Sequence, residues 1–259
     1  ELHSLNIIVC FNKLNNLIAF YSEKKIMNES FKTFLRNNLP KGIIIFFRKI
    51  KLFKFIIKKK FLSRDSIKIS EYKNYQDYIN HQKEKTTDPN RVKKWLKDEW
   101  DYKYKGFKAV FKKNKKFIKD KKNAICLGSR TGQEVKALVD LGINTIGLDL
   151  VSFPPFTIEG DIHNINYQKS EFDLVFTNIL DHSLYPDKFC KEMERICKPS
   201  GIIILRLQIG ISGDTYSSNT INNPDYILKL FKNSKPLKKD LIVDAFDGMN
   251  YEIVLKREN

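Results

Sequence analysis

Two glycines and a carboxylate are spaced as a nucleoside-binding site requires. Gly128 and Gly132 lie in a short turn after the apolar run 124–127, and Asp149 ends a second apolar run that begins at Thr145. Glycines let the backbone approach a ligand closely. The free N–H groups at the start of the next helix favour polar or anionic ligand groups. A strand, a glycine turn, a helix and a strand ending in an acid together predict a nucleoside site, with the carboxylate on the ribose hydroxyls.

Two further polar residues end apolar runs later in the chain. Asp161 follows a short apolar run, and Asn178 follows the run 172–177. In an open parallel sheet, ligands bind outside the carboxyl ends of the strands. These two residues, the glycine turn and Asp149 would then lie at one edge of the sheet. A single acid of this kind is usually a solvated loop residue, whereas four strand ends in register predict a ligand site.

The elements that must position these residues alternate between strands and helices. Apolar runs predict buried strands at 124–127, 145–148, 173–177, 202–207 and 241–246. Helical segments are expected at 133–141, 186–197 and 223–232. The last run, 250–255, is expected to pair with 241–246 across the Asp247-Gly248 turn. The predicted fold class is α/β: a Rossmann-like doubly wound sheet, mostly parallel with an antiparallel final strand, preceded by a helical basic N-terminal extension.

The positive charge is confined to the N-terminal half of the chain. The 259 residues carry a net charge of +17. Residues 123–259 hold 15 Lys and Arg against 18 Asp and Glu, so residues 1–122 hold 32 against 12, a net charge of +20. A nucleic acid or an anionic membrane surface could explain this surplus. An AT-rich genome, which enriches Lys, Ile and Asn without any partner, explains it equally well.

A basic amphipathic helix is predicted over residues 43–62. Apolar residues recur there at helical spacing, while Arg48 and a series of lysines occupy the opposite side. Such a helix can lie in a membrane interface. It can equally pack its apolar stripe against the protein's own core, which is the commoner outcome. Nucleic acid is a third, less favoured partner.

The predicted domain organisation has three parts. Residues 1–26 precede the first methionine, Met27, and are expected to be an artefactual or disordered lead-in. Residues 27–88 form the basic extension, of which 63–90 is expected to be a polar linker, and residues 89–259 form the main domain. Neither a membrane-spanning apolar run nor a signal-peptide pattern is found. Four cysteines without pairing or metal spacing favour a reduced, cytoplasmic protein without a metal site. A peripheral position at the inner face of the membrane is the alternative that the basic helix leaves open.

Residues 90–255 resemble the class I S-adenosylmethionine-dependent methyltransferases, in particular the type called methyltransferase domain 11. The most specific segments are Phe172–Phe189 and Glu194–Gly201, which look like the family's fourth strand, the following helix and the turn into the fifth strand. The resemblance implies S-adenosyl-L-methionine as cofactor. It also implies a set of binding residues: Gly128, Ser129, Arg130, Thr131 and Gly132 at the methionine portion, Asp149 and Leu150 at the ribose, Asp161 and Ile162 at the adenine, and Asn178, Ile179 and Leu180 near the sulfonium.

The chain departs from the family pattern at the glycine turn. Cys126 stands where the family has an acid, and Arg130 stands at its middle glycine. Because the missing acid commonly supports the cofactor's amino group, another polar group is expected to replace it, and Glu134 is the candidate. The short interval after Asp149 contains Pro154-Pro155, which predicts a loop instead of the family's usual helix.

The acceptor chemistry is predicted from the segment after the fourth strand. A hydroxyl acceptor needs a base, and His182 beside Asp181 is the candidate. His182 could instead cap or pack the following helix, and His163 is expected to be structural. The polar loop 208–219 is expected to cover the acceptor, and the aromatic helix that contains Trp95 is expected to cover the cofactor.

The sequence therefore favours methyl transfer to a small-molecule or glycan/lipid-linked acceptor, as O- or N-methylation. One alternative is an RNA-modifying methyltransferase that holds phosphates with the basic N-terminal half, although no asparagine–proline–proline–tyrosine-like motif follows the fourth strand. Another is a non-catalytic domain that kept the fold and the cofactor site.

Overall fold

The computed structural model describes residues 40–63, 65–243 and 245–259. The expectation for residues 1–26 and the first part of the predicted extension therefore lie outside the described residues. The chain divides between Arg48 and Lys49 into two compact units. The predicted domain boundary at residue 88 stays a prediction.

Helices account for most of the described N-terminal third. Their bounds are α1 Lys41–Leu62, α2 Tyr75–Thr87, α3 Pro89–Lys93, α4 Trp100–Lys113, α5 Lys115–Ile118, α6 Gln133–Val139, α7 Pro186–Ile196 and α8 Pro224–Leu230. A π-helical turn over Lys94–Asp98 joins α3 to α4, and a 3₁₀ turn spans Leu180–His182. Asp88 caps α3 by accepting from the backbone N–H groups of Asn90 and Arg91, with Pro89 at the first helical position.

The strands form one large sheet and one small ribbon. Their bounds are β1 Ile67–Ile69, β2 Asn123–Leu127, β3 Asn144–Asp149, β4 Thr157–Glu159, β5 Phe172–Thr177, β6 Cys197–Leu207, β7 Asn219–Ile221, β8 Ser234–Leu241 and β9 Tyr251–Arg257. The large sheet has the order β4-β3-β2-β5-β6-β9-β8, and β1 pairs with β7 in the ribbon. Strands β2 to β6 are mutually parallel, whereas β9 and β8 are antiparallel to their neighbours. The predicted doubly wound α/β sheet is confirmed.

The central strands β2, β5 and β6 are buried at most of their positions, because helices cover both faces of the sheet. One buried cluster contains Phe189 and Met193 of α7 together with Ile227 of α8. The other contains Phe111 of α4 and Leu138 of α6. The connection between β3 and β4 carries no helix, as the Pro154-Pro155 pair indicated.

The strand predicted at 241–246 is wrong. The outer partner of β9 is β8, which ends at Leu241, and the described residues 242–243 and 245–250 belong to no strand. Strand β8 lies at the edge of the sheet and contains Pro236 and several lysines. These residue types are common on edge strands, where they prevent pairing with another chain. Because they interrupt the apolar residues, the strand cannot be recognised as an apolar run in the sequence.

The prediction that residues 63–90 form a polar linker is also wrong. The segment contains β1 and the thirteen-residue helix α2, whose first turn is capped by the Asn74 side chain. The buried positions of α2 include Gln82, Lys85 and Thr86. Because this buried face is largely polar, the helix has no apolar periodicity for the sequence to show.

The helix predicted over 43–62 is confirmed as α1. In the unit that begins at Lys49, Ile56 is buried in the core, and Leu52 and Phe55 pack against it. This part of α1 therefore packs on the protein's own core through Leu52, Phe55 and Ile56. The predicted apolar stripe itself, which includes Ile50, Phe53 and Phe61, does not pack there, because these three side chains are exposed. Within the part of the chain that the structure describes, no helix is both long and apolar enough to cross a membrane.

Candidate active site

A cavity of about 530 Å³ opens at the carboxyl ends of β2, β5 and β6, beside a smaller one of about 60 Å³. Most of the predicted site residues line them. The larger cavity is lined by Gly128, Ser129, Arg130, Thr131, Glu134, Asn178, Ile179, Asp181 and His182. Asp149, Leu150, Asp161 and Ile162 line the smaller one, which shares Gly128, Arg130, Ile179 and His182 with the larger. Gly132 and Leu180 line neither: Gly132 precedes α6 as its N-cap, and Leu180 is buried in the core.

The glycine turn wraps closely around the end of β3. Gly128, Arg130 and Gly132 have φ values of +74°, +49° and +88°, in the left-handed region that glycine adopts most readily. A Cβ atom on Gly128 would lie 2.2 Å from Ile179 Cγ1, so only glycine fits there. The Arg130 N–H donates to Asp149 Oδ2 at 2.8 Å. The turn and the predicted ribose acid are therefore joined directly.

Asp161 is held at the smaller cavity by two donors. The His163 N–H donates to Asp161 Oδ1 at 2.8 Å, and the Tyr75 hydroxyl donates to Oδ2 at 2.5 Å. Burial alone would raise the pKa of Asp161, but these hydrogen bonds lower it to about 2. The carboxylate is therefore charged at neutral pH. Tyr75 belongs to α2, which the sequence did not reveal.

Glu134 and Arg130 bring a buried carboxyl group and a guanidinium to the larger cavity. Glu134 is 4% exposed, and burial raises its pKa to about 8. Its charge acts on Cys126, so it lies close to the position where the family acid is missing. The Arg130 guanidinium stacks over the Trp95 ring at 4.4 Å. Among the described residues neither side chain forms a salt bridge.

Helix α2 covers the smaller cavity with side chains that sequence reasoning missed. Tyr78, Gln82, Lys85 and Thr86 all line it. The Tyr78 hydroxyl donates to the His182 carbonyl oxygen at 3.1 Å. The predicted cover from the Trp95 segment lies at the larger cavity instead, where Trp95 is a lining residue.

His182 presents a neutral ring to the larger cavity. Its Nδ1 lies 2.9 Å from the Tyr216 carbonyl oxygen, which can only accept, so Nδ1 carries the proton and Nε2 keeps its lone pair. Burial lowers the pKa of His182, and Lys85 and Arg130 lower it further, against the opposing charge of Asp181. Nε2 lies 3.7 Å from Asp181 Oδ2, which accepts from the Ser217 hydroxyl. The ring can therefore accept a proton.

The loop after β6, which is predicted to cover the acceptor, forms a further part of the cavity wall. Gln208, Ser212, Asp214 and Ser217 line the larger cavity. Lys85, whose side chain is 9% exposed, donates to Asp214 Oδ2 at 2.7 Å. His163 is fully buried and binds the Ser183 hydroxyl through Nε2 at 2.8 Å, a structural environment. No three His, Cys, Asp or Glu side chains among residues 40–63, 65–243 and 245–259 are grouped as a metal site.

Comparison with known proteins gives one family and one fold. Residues 125–205 match the family described as "Methyltransferase domain". The 1,6-didemethyltoxoflavin-N1-methyltransferase of Burkholderia thailandensis, solved with 1,6-didemethyltoxoflavin and S-adenosylhomocysteine, shares 10% identity over 76% of this chain and 98% of its own, with a TM-score of 0.57. A protein of Pyrococcus horikoshii OT3 shares 16% identity over 62% of this chain and 92% of its own, with a TM-score of 0.50. No curated protein matches the sequence.

Proposed function

We propose that this chain, which carries a class I S-adenosylmethionine-dependent methyltransferase domain, methylates a hydroxyl or amine of a small-molecule or glycan/lipid-linked acceptor. The observation that supports this acceptor chemistry is the position of His182, which lines the same cavity as the glycine turn and the polar loop after β6 and whose Nδ1 donates to the Tyr216 carbonyl oxygen. We further propose that the domain extends over residues 89–259 and that α2, from the preceding extension, completes its cavities.

The residues around the smaller cavity fit the adenosine portion of the cofactor. Asp149 would accept hydrogen bonds from the ribose hydroxyls, with Leu150 beside it. Asp161 and the Ile162 N–H would bind the adenine edge. Although Tyr75 and His163 already donate to Asp161, each carboxylate oxygen can accept a second hydrogen bond.

The charges at the larger cavity fit the amino-acid tail of the cofactor. The tail carries an ammonium and a carboxylate, and the cavity offers a buried carboxyl group on Glu134 and a guanidinium on Arg130. Glu134 would hold the ammonium in place of the acid that Cys126 replaces. Arg130 would hold the carboxylate with its side chain, where relatives use only the backbone of a glycine.

Variants of these two residues should discriminate between ligands with and without the tail. We expect Glu134→Gln and Arg130→Met each to weaken S-adenosylhomocysteine binding by about tenfold to a hundredfold, the value of a charge-assisted hydrogen bond. Binding of 5′-methylthioadenosine, which lacks the amino-acid tail, should stay unchanged. Titration calorimetry measures both affinities. Lys103→Met, which also removes a cation from the cavity wall, is the matched control. If Glu134→Gln and Arg130→Met weakened the binding of both ligands equally, the assignment of these residues to the amino-acid tail would be contradicted.

The proposed transfer step needs alignment more than activation. S-adenosylmethionine supplies a methyl group that is already electrophilic, so the chain must orient the acceptor and exclude water. Nε2 of His182 would take the proton from the acceptor hydroxyl or amine. The Tyr216 carbonyl holds the ring in the required tautomer, and the low pKa keeps it unprotonated at neutral pH.

His182→Gln should lower kcat by about a hundredfold to ten-thousandfold, the usual contribution of a general base. S-adenosylhomocysteine affinity should not change. Because the pKa of His182 lies below its usual 6.5, the ring is neutral above that value, and the rate should fall only as the pH drops through the lowered pKa. The variant should lose this acidic limb. His81→Gln, which alters the ring stacked on the Tyr216 side chain, is the control. If kcat were unchanged in His182→Gln, His182 would not be the general base.

The acceptor class can be found with methyl-labelled S-adenosylmethionine and fractionated cell extract. We expect label to enter a low-mass, glycan or lipid fraction. Label released only by ribonuclease would favour the RNA-modifying alternative. Absence of label from every fraction would remove the basis for the proposed function.

A further inference from the structure

The part of α1 from Lys49 onward is fixed to the protein by one of its faces. Ile56 is 4% exposed in the core, and Leu52 and Phe55 pack against the same cluster. At the borders of this face, Lys49 binds Asp240 at 2.8 Å and Lys60 binds Asp225 at 2.5 Å. The helix is therefore held in a defined orientation, which determines what its other face presents.

The opposite face carries an apolar stripe in contact with solvent. Ile50, Phe53, Ile57 and Phe61 follow one another at intervals of three, four and four residues, which places them on one side of the helix. Phe53 is 54% exposed and Phe61 76% exposed. Aromatic rings of this size are usually covered, so contiguous exposure on a rigid helix indicates an interaction surface.

A row of lysines runs directly beside this stripe. Lys51, Lys54 and Lys58 are each one position beyond an apolar residue of the stripe, and all three are exposed. Unlike Lys49 and Lys60, they make no ion pair with any carboxylate among the described residues. An apolar stripe bordered by unpaired cations complements a surface that has negative charge outside and apolar material beneath, which describes an anionic bilayer.

The same helix packs on the wall of the acceptor cavity. A Cβ atom on Gly210 would lie 2.7 Å from Lys59 Cγ and 3.1 Å from Phe55 Cε1, so α1 rests directly on this backbone. Gly210 belongs to the loop after β6, in which Gln208 and Ser212 line the larger cavity. A surface that bound α1 would thus lie next to the loop that encloses the acceptor.

We propose that the exposed face of α1, defined by Ile50, Phe53, Phe61, Lys51, Lys54 and Lys58, docks on an anionic lipid bilayer. The helix lies in the plane of the membrane interface with Phe53 and Phe61 inserted among the acyl chains and the lysines at the headgroups. Docking places the loop that contains Gly210 behind α1, one helix diameter (~10 Å) from the membrane surface. The proposal does not depend on the methylation chemistry, because it concerns a face outside both cavities.

Flotation of the full chain with lipid vesicles tests the proposal. The protein should float with vesicles of phosphatidylcholine and phosphatidylglycerol, and much less with phosphatidylcholine alone. Lys51→Gln/Lys54→Gln/Lys58→Gln should weaken binding about fivefold for each lysine removed, and added salt should have a similar effect. Phe53→Ser/Phe61→Ser should weaken binding to both kinds of vesicle by at least about tenfold, because the inserted apolar area is lost.

Matched variants separate the proposed face from general charge and hydrophobicity. Lys112→Gln/Lys115→Gln/Lys119→Gln removes three exposed lysines elsewhere, and Ile158→Ser/Leu237→Ser removes two exposed apolar side chains. Both should float like the unmodified chain. Equal losses in these controls would overturn the proposal. Two other results would also overturn it. If the protein does not float and forms a dimer that Phe53→Ser/Phe61→Ser makes monomeric, a second copy of the chain covers this face. If the protein does not float and binds RNA in a salt-sensitive way, the lysines bind nucleic acid instead.

Discussion

Asp149→Ala should weaken S-adenosylhomocysteine binding by about a hundredfold to ten-thousandfold. The carboxylate lies at the end of β3 and lines the smaller cavity, where it would accept hydrogen bonds from both ribose hydroxyls. Each charge-assisted bond contributes about 1.5–3 kcal/mol, and their loss gives this range. The Arg130 N–H also donates to Asp149, so the substitution additionally loosens the glycine turn.

Titration calorimetry with each variant checks this prediction. Glu159→Ala is the matched control, because Glu159 pairs with Asp149 in the register of β3 and β4 but carries an exposed carboxylate outside both cavities. It should bind S-adenosylhomocysteine like the unmodified chain. If Asp149→Ala bound the ligand as tightly as Glu159→Ala does, the adenosine portion would not lie in this cavity.

Arg206→Met should destabilise the folded chain by about 3–5 kcal/mol, because it leaves the buried Asp247 carboxylate without its counter-ion and leaves Glu252 with Lys238 alone. The Arg206 side chain is 4% exposed, forms two hydrogen bonds with Asp247 at 2.6 and 2.9 Å, and binds Glu252 at 2.9 Å. These contacts tie β6 to β9 and to the loop 242–250, in which Asp247 lines the larger cavity. A loss of this size is a large part of the stability of a typical domain.

Urea unfolding measures this loss, and its pH dependence checks the cause. Burial would raise the pKa of Glu252, but Lys238, Asn114 and Arg206 lower it, so its stabilising contribution is complete above about pH 4.5 and falls as the pH drops through the lowered pKa. In Arg206→Met, protonation relieves the carboxylates instead, so the difference from the unmodified chain should narrow in acid. Lys191→Met breaks an exposed pair with Asp187 and should cost less than about 1 kcal/mol. If Arg206→Met and Lys191→Met lowered the free energy of unfolding by similar amounts, the burial of the Arg206 ion pairs would not explain their contribution to stability.

The architecture of the sheet could be predicted because its signals are local. Strands β2, β3 and β5 are short apolar runs that end in glycine or polar residues, and this pattern alone placed Gly128, Asp149 and Asn178 at one edge. Edge strand β8 was not predicted from the sequence because lysines and a proline stand where an apolar run would be expected. The sequence can thus predict strands that are covered on both faces better than strands at the rim.

The candidate site was only partly predictable because several of its contacts join distant segments. Helix α2 has a polar buried face, since Lys85 binds Asp214 and Gln82 donates to the Tyr216 carbonyl oxygen, more than a hundred residues away. Tyr75, which donates to Asp161, lies 86 residues from it, and the Tyr216 carbonyl that fixes the His182 tautomer lies 34 residues from that histidine. Local patterns cannot reveal which residues such contacts bring together.

The structure shows what surrounds the glycine-turn residues that differ from the family pattern, which the sequence alone could not show. Arg130 keeps the left-handed backbone of the glycine that it replaces and stacks on Trp95. Glu134 is buried and close enough to Cys126 to raise the pKa of that thiol, to which its burial contributes most. The two changes thus bring a cation and a carboxyl group to one cavity, a combination that suits a zwitterionic ligand.

Titration of S-adenosylhomocysteine into the unmodified chain tests the central claim most directly. The account predicts binding at one site per chain and a higher melting temperature in the presence of the ligand, because a ligand that binds only the folded state stabilises it. If high concentrations of the ligand gave no heat of binding and no shift in melting temperature, this prediction would be contradicted. The cavities at the ends of β2, β3 and β5 would then not be a cofactor site.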